Sequence, residues 1–82
     1  MPRKLAAGNW KMNGNTEALS MIDALNAAHE ATHVDILICP PAHLLAPART
    51  HADGGPVTLG AQNCHYAAQG AHTGDISAVM LR

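Results

Sequence analysis

The 82-residue sequence has few of the residues that mark a nucleic-acid or membrane partner, or that anchor a large core. It contains no phenylalanine, one tryptophan, one tyrosine and only 13% charged residues, with a formal net charge of -1. Because it has no basic cluster, we expect neither nucleic acid nor an anionic membrane as its main partner. No apolar run approaches the roughly 20 residues that cross a bilayer, and the run behind Arg3-Lys4 is too short for a signal peptide. A cytoplasmic protein is therefore expected.

Cysteine is scarce, and glycine-rich phosphate loops are absent. Cys39 and Cys64 do not form a C-x-x-C pair, so neither a disulfide scaffold nor a zinc ribbon is indicated, and both are expected to be reduced thiols. Nothing matches G-x-x-x-x-G-K or G-x-G-x-x-G, so nucleotide binding has no support.

What is present is an alternation of apolar runs and helix-like stretches. Hydrophobic residues make up 48% of the chain, which is typical of a globular protein. The runs at residues 5–7, 34–39 and 57–62 predict strands. Helices are predicted from Glu17 to about Ala31, over residues 48–52 with Pro47 in the first turn, and after Ser77. This order predicts an α/β fold, a parallel sheet with right-handed crossovers.

Two features suggest that these elements belong to a larger structure. Residues 63–74 form a polar loop of a length that is usually functional or disordered. Three parallel strands would leave one face of the sheet largely bare, although parallel sheets are almost always covered on both faces. The pattern is therefore expected to be the beginning of a larger fold.

The sequence GNWKMNG at residues 8–14 ends the first predicted strand. If the strand continues, alternation places Asn9 and Lys11 on one face and Trp10 on the other. The carboxyl ends of parallel strands are where such proteins bind ligands, and an ammonium group there favours an anionic substrate. The alternative is a hairpin turn at Asn13-Gly14 with a solvated lysine.

Several histidines suggest a metal site. His29-Glu30-Ala31-Thr32-His33 matches H-E-x-x-H, in which two histidines one helical turn apart bind zinc and the glutamate activates water, as in a zinc hydrolase. The second histidine falls where the helix must end before the next strand, so a polar helix end is the favoured interpretation. His65 and His72 are expected to be exposed loop residues, because no paired ligand completes a site.

Four segments in order resemble the N-terminal third of the triosephosphate isomerase family. They read GNWKMN at residues 8–13, CPP at 39–41, GAQNC at 60–64 and GAHTGDIS at 70–77. The resemblance implies an eight-stranded (β/α) TIM barrel, of which residues 1–82 supply the first three units and end before the fourth strand. It implies no metal and no cofactor.

The resemblance also implies roles for particular residues. Lys11 is similar to the lysine that faces the substrate phosphate and the developing oxyanion, and Asn9 to the neighbour that bonds substrate and positions that lysine. Thr73, with Gly74 and His72, is similar to a loop that enters the partner subunit of a homodimer. His72 stands where the family usually has an aromatic residue, and Asp75 where it usually has glutamate.

The implied activity is the interconversion of dihydroxyacetone phosphate and glyceraldehyde 3-phosphate, by proton transfer through an enediolate, in glycolysis and gluconeogenesis. The family's histidine electrophile and glutamate base lie beyond residue 82, so this piece alone is expected to be inactive. One alternative is a non-catalytic fragment that complements the rest of the barrel. A remote alternative is a zinc hydrolase that uses His29, Glu30 and His33.

Overall fold

In the computed structural model, which describes residues 2–82, three strands and three α-helices follow the predicted order. The strands are β1 (Leu5–Asn9), β2 (Asp35–Cys39) and β3 (Val57–Leu59). The α-helices are α1 (Ser20–Ala28), α2 (Leu45–Ala52) and α3 (Ala78–Leu81), and 3₁₀ turns precede α1 (Thr16–Leu19) and α2 (Ala42–Leu44).

The strands form one parallel sheet in the order β1-β2-β3. The pairing runs from Leu5 opposite Asp35 to Asn9 opposite Cys39. Each pair of neighbouring strands is joined by a helical crossover, α1 in the first case and α2 in the second. The predicted parallel α/β fold is confirmed. The hairpin alternative is wrong, because the chain beyond β1 enters α1 and returns to pair in parallel.

The core lies between the sheet and the two crossover helices. Its buried apolar residues are Leu19, Ile22, Ile38, Leu44, Ala48, Ala52 and Val57. Ile22 of α1 is fully buried, whereas Met21 beside it is 58% exposed, so only a narrow stripe of α1 faces the core. Leu5 of β1 is also mostly exposed. Within residues 2–82, no helix combines the length and the apolar character that a membrane crossing requires.

Several predicted element boundaries are wrong by a few residues. Helix α1 ends at Ala28 and not near residue 31, and β3 ends at Leu59 and not at residue 62. Helix α2 begins at Leu45, yet Pro47 still lies in its first turn, where no intrahelical donor is needed. The predicted cap of α3 is confirmed, since the Ser77 hydroxyl accepts a hydrogen bond from the Met80 N–H.

Asn26 of α1 joins the end of α2 to the start of β3. Its amide nitrogen donates to the carbonyl oxygens of His51 (3.2 Å) and Ala52 (3.5 Å), and its Oδ1 accepts from the Val57 N–H (2.9 Å). The last carbonyls of a helix have no intrahelical partner, and Asn26 supplies a donor to that of His51. The Ala52 carbonyl receives a second donor from Asn26, since it also accepts from the Gly55 N–H at 3.2 Å. Asn26 itself is half-buried.

We expect Asn26→Ala to destabilise the turn between α2 and β3 by about 1–3 kcal/mol, because it removes partners from partly buried backbone groups. The measurement is amide hydrogen exchange at Val57, which should become faster. Asn26→Asp keeps the acceptor for Val57 but turns a second oxygen toward the carbonyls of His51 and Ala52, so protection at Val57 should also fall. Equal exchange rates at Val57 in the wild-type and alanine chains would contradict this role.

Candidate functional site

The carboxyl ends of the three strands lie side by side at one edge of the sheet. Asn9 ends β1 opposite Cys39, which ends β2, and Leu59 ends β3 opposite Ile38. The backbone hydrogen bonds continue one residue further, from the Trp10 N–H to the Cys39 carbonyl (3.1 Å). In open and closed parallel sheets, ligands bind at this edge.

Lys11 lies just beyond the end of β1 in a left-handed backbone conformation, with φ +55°. The prediction that strand alternation brings Asn9 and Lys11 to one face is therefore wrong, since the strand ends at Asn9. The two residues are brought together by a turn instead: Asn9 Oδ1 accepts a hydrogen bond from the Lys11 N–H at 2.7 Å. The amide of Asn9 thus holds the backbone of Lys11 directly.

Gln62 holds the same backbone from the other side. Its Nε2 donates to the Lys11 carbonyl (2.8 Å) and to the Cys39 carbonyl (3.0 Å). One side chain beyond β3 therefore connects the segment that follows β1 to the last residue of β2. This role was not predicted from the sequence, although a polar residue shortly after an apolar strand was a signal for it.

The conformation of Lys11 is unfavourable in isolation. A left-handed backbone costs a residue with a Cβ about 1–2 kcal/mol, and such strain concentrates at functional sites. Here the N–H and the carbonyl of Lys11 are both bonded to side chains, which compensates for the strain. The side chain of Lys11 is exposed, and within residues 2–82 no carboxylate forms an ion pair with it. Its ammonium group is therefore open to an anionic ligand.

The three residues predicted for a subunit interface lie together in the loop of residues 63–74. His72, Thr73 and Gly74 are all exposed. Among the hydrogen bonds of the residues that the structure describes, none joins Thr73 to Asn9. The prediction that His65 is exposed is wrong, because it is half-buried, with its ring stacked on that of His72.

The zinc-hydrolase geometry is not formed. Since α1 ends at Ala28, His29 and His33 do not lie one turn apart on a helix. A turn follows instead: the Thr32 N–H donates to the His29 carbonyl, and the Thr32 hydroxyl accepts from the Val34 N–H. Within residues 2–82, no group of three or more histidine, cysteine or acidic side chains is placed to hold a metal ion.

Known proteins are similar to this chain over nearly all of its length. The sequence profile of the family described as Triosephosphate isomerase matches residues 4–82. The chain is 59% identical over 81 residues to a triosephosphate isomerase from Ruegeria pomeroyi, which covers 99% of this chain and 32% of that protein. A relative of the same name from Jannaschia sp. is 56% identical, again over 99% of this chain and 33% of the relative.

A solved structure supports the same relationship at the level of the fold. The crystal structure of triosephosphate isomerase from Bartonella henselae is similar with a TM-score of 0.90 and 46% identity, over 98% of this chain and 33% of that one. The chain thus spans about a third of the length of the relatives that it matches.

We expect Gln62→Leu, which removes both donated hydrogen bonds at similar side-chain size, to release Lys11 from its left-handed conformation. Each bond contributes roughly 0.5–1.5 kcal/mol, so hydrogen-exchange protection of the Lys11 amide should fall at least about fivefold. The matched control is Gln69→Leu, the same substitution at an exposed loop residue. Equal protection of the Lys11 amide in the two variants would refute the role of Gln62.

Proposed function

Because this chain belongs to the triosephosphate isomerase family, we propose that residues 1–82 are the N-terminal part of one TIM-barrel domain that catalyses triose phosphate isomerisation. They supply the first three β/α units and end before the fourth strand. The complete enzyme interconverts dihydroxyacetone phosphate and glyceraldehyde 3-phosphate, in glycolysis and gluconeogenesis. The observation that carries the proposal is the left-handed Lys11, held by Asn9 and Gln62 at the carboxyl edge of the sheet.

Lys11 supplies positive charge in the proposed reaction. Removing a proton next to a carbonyl leaves negative charge on the oxygen of an enediolate, and the substrate carries a phosphate throughout. A cation fixed in place before the reaction stabilises that developing charge without reorganisation, which is usually the largest single contribution to catalysis. Asn9 positions Lys11 through its backbone N–H and is proposed to bond the substrate as well.

The proton transfers themselves require groups outside this chain. The resemblance assigns the electrophile and the base to a histidine and a glutamate beyond residue 82. The overall reaction moves a proton between adjacent carbons and consumes no external oxidant or reductant, so the proposal includes no redox cofactor. Residues 1–82 alone are therefore proposed to supply the cation for an anionic ligand but not to turn over substrate.

The proposal extends to a homodimer in the cytoplasm. His72, Thr73 and Gly74 are exposed on a loop with little apolar side-chain burial of its own, which supports an interface role for that loop. In a two-fold dimer, each loop would place Thr73 beside the Asn9 of the other subunit, so the contact is made twice. Free thiols at Cys39 and Cys64 fit a reducing compartment.

The experiment that tests the activity joins residues 1–82 to the remaining part of the Ruegeria pomeroyi relative; we call this chain the completed barrel. It should isomerise triose phosphates, whereas purified residues 1–82 should not. Lys11→Met in the completed barrel should lower kcat/KM by about 10²- to 10³-fold, the usual cost of losing one preorganised electrostatic group. Activity is measured with a coupled assay in a host that lacks its own isomerase.

Lys4→Met is the matched control, because Lys4 is an exposed lysine near the opposite end of the same strand. It should leave kcat/KM within about twofold of the parent. An inactive but folded completed barrel would refute the proposed function. A near-normal kcat/KM in Lys11→Met would show that Lys11 is only a solvated surface residue.

The dimer is tested by deleting residues 67–70 from the loop of the completed barrel. We expect a monomer by light scattering and a parallel loss of kcat, because each site needs its neighbour's loop. Thr73→Ala should lower kcat up to about tenfold, the effect of one lost hydrogen bond, while Thr73→Ser retains most of the activity. A deletion variant that stays dimeric would exclude the interface role of the loop. A fully active monomer would exclude the proposed contact of Thr73 with the other subunit's Asn9.

A further inference from the structure

The loop of residues 63–74 is anchored at its start through His65. The His65 N–H donates to the Ile76 carbonyl at 2.7 Å, and His65 pairs with Ser77 in an isolated parallel bridge. Ser77 is buried and caps α3, so this attachment point is fixed. The His65 ring is oriented as well, because its Nδ1 accepts from the Ala67 N–H at 3.0 Å.

The far end of the loop returns to this anchor through a ring contact. The imidazole of His72 stacks on that of His65, with ring centroids 3.8 Å apart and planes inclined by 23°. Gly70 makes room for the contact, since a Cβ at that position would lie 2.8 Å from both Cδ2 and Nε2 of His72. Tyr66 also stacks on His65, at 4.4 Å, but it is 97% exposed and fixes nothing beyond its neighbour.

His72 begins the turn that carries Thr73. The His72 carbonyl accepts from the Asp75 N–H at 2.9 Å, and Gly74 has φ +88°. A positive φ at the third residue is the mark of a type II β-turn, in which glycine is preferred. Thr73 is the second residue of this turn, so its position depends directly on where His72 is held.

We propose that the stacked rings of His65 and His72, together with the gap at Gly70, form a ring lock that positions Thr73. The residues from 68 to 74 are all exposed, so burial of apolar side chains does not order this stretch. The ring lock makes His72 a positioning residue that acts within its own subunit, and not only a surface that meets a partner. This inference rests on the proposed function, because it concerns the delivery of Thr73 to the other subunit's Asn9.

The test compares His72→Ala with His72→Phe in the completed barrel. Alanine removes the stacked ring, and phenylalanine restores a ring without the imidazole nitrogens. We expect His72→Ala to lower three quantities: the hydrogen-exchange protection of the Asp75 amide, kcat and the dimer affinity. Each should fall by about three- to tenfold, the effect expected from losing the interaction energy of one aromatic pair. In His72→Phe, which keeps a ring at this position, all three quantities should stay within about twofold of the parent.

Gly70→Ala tests the ring lock independently, because the added Cβ would displace the ring of His72. It should reproduce the effect of His72→Ala and add the cost of its own backbone conformation, φ +157°, so the double variant should lose less than the sum of the two single losses. Additive losses in the double variant would overturn the coupling between Gly70 and His72. Unchanged protection of the Asp75 amide in His72→Ala would overturn the ring lock itself.

Thr73→Ala separates this inference from the proposed function. If Thr73→Ala lowers kcat while His72→Ala does not, the interface role of the loop stands and the ring lock is wrong. If neither substitution changes kcat or dimer affinity, the interface role of the loop fails, and the proposed positioning of Thr73 fails with it. A loss of kcat in both, with rescue by phenylalanine at position 72, supports the inference.

Discussion

The arrangement of the site depends on the hydrogen bonds from Gln62 to the carbonyls of Lys11 and Cys39. The backbone of Lys11 is unfavourable in isolation, and Asn9 satisfies only its N–H. Gln62 supplies the second contact and links the turn at Lys11 to the end of β2. The backbone of Lys11 is thereby fixed, while its exposed ammonium group stays free to meet a ligand.

A second side-chain amide also connects backbone groups of different elements, at the amino ends of the strands. Asn26 bonds the last carbonyls of α2 and the first N–H of β3, close to the amino end of that strand. An amide suits both places because it donates and accepts at once and carries no charge that would need a buried partner. Asn26 connects β3 to the helix before it, and Gln62 connects the segment after β3 to the ends of β1 and β2.

The element order and the parallel sheet could be predicted from sequence because they follow from hydrophobic periodicity, which is local. The ends of α1 and β3 could not, since the first depends on the turn around Thr32 and the second on how far the neighbouring strand continues to pair. Asn9 and Lys11 were chosen correctly as neighbours, but for the wrong reason. Gln62 and Asn26 were missed because their partners are distant in sequence, and so was the stacking of His65 on His72.

The separation of Gln62 from Lys11 along the chain also affects the order in which the structure can form. Gln62 and Lys11 are separated by 51 positions in the chain. During synthesis, therefore, β1 and β2 can emerge and pair while the turn at Lys11 still samples other conformations, because its second support has not yet been made. The turn acquires its final shape only when β3 docks beside β2. Charge at this edge of the sheet is thus organised by residues that follow β3 as well as by β1.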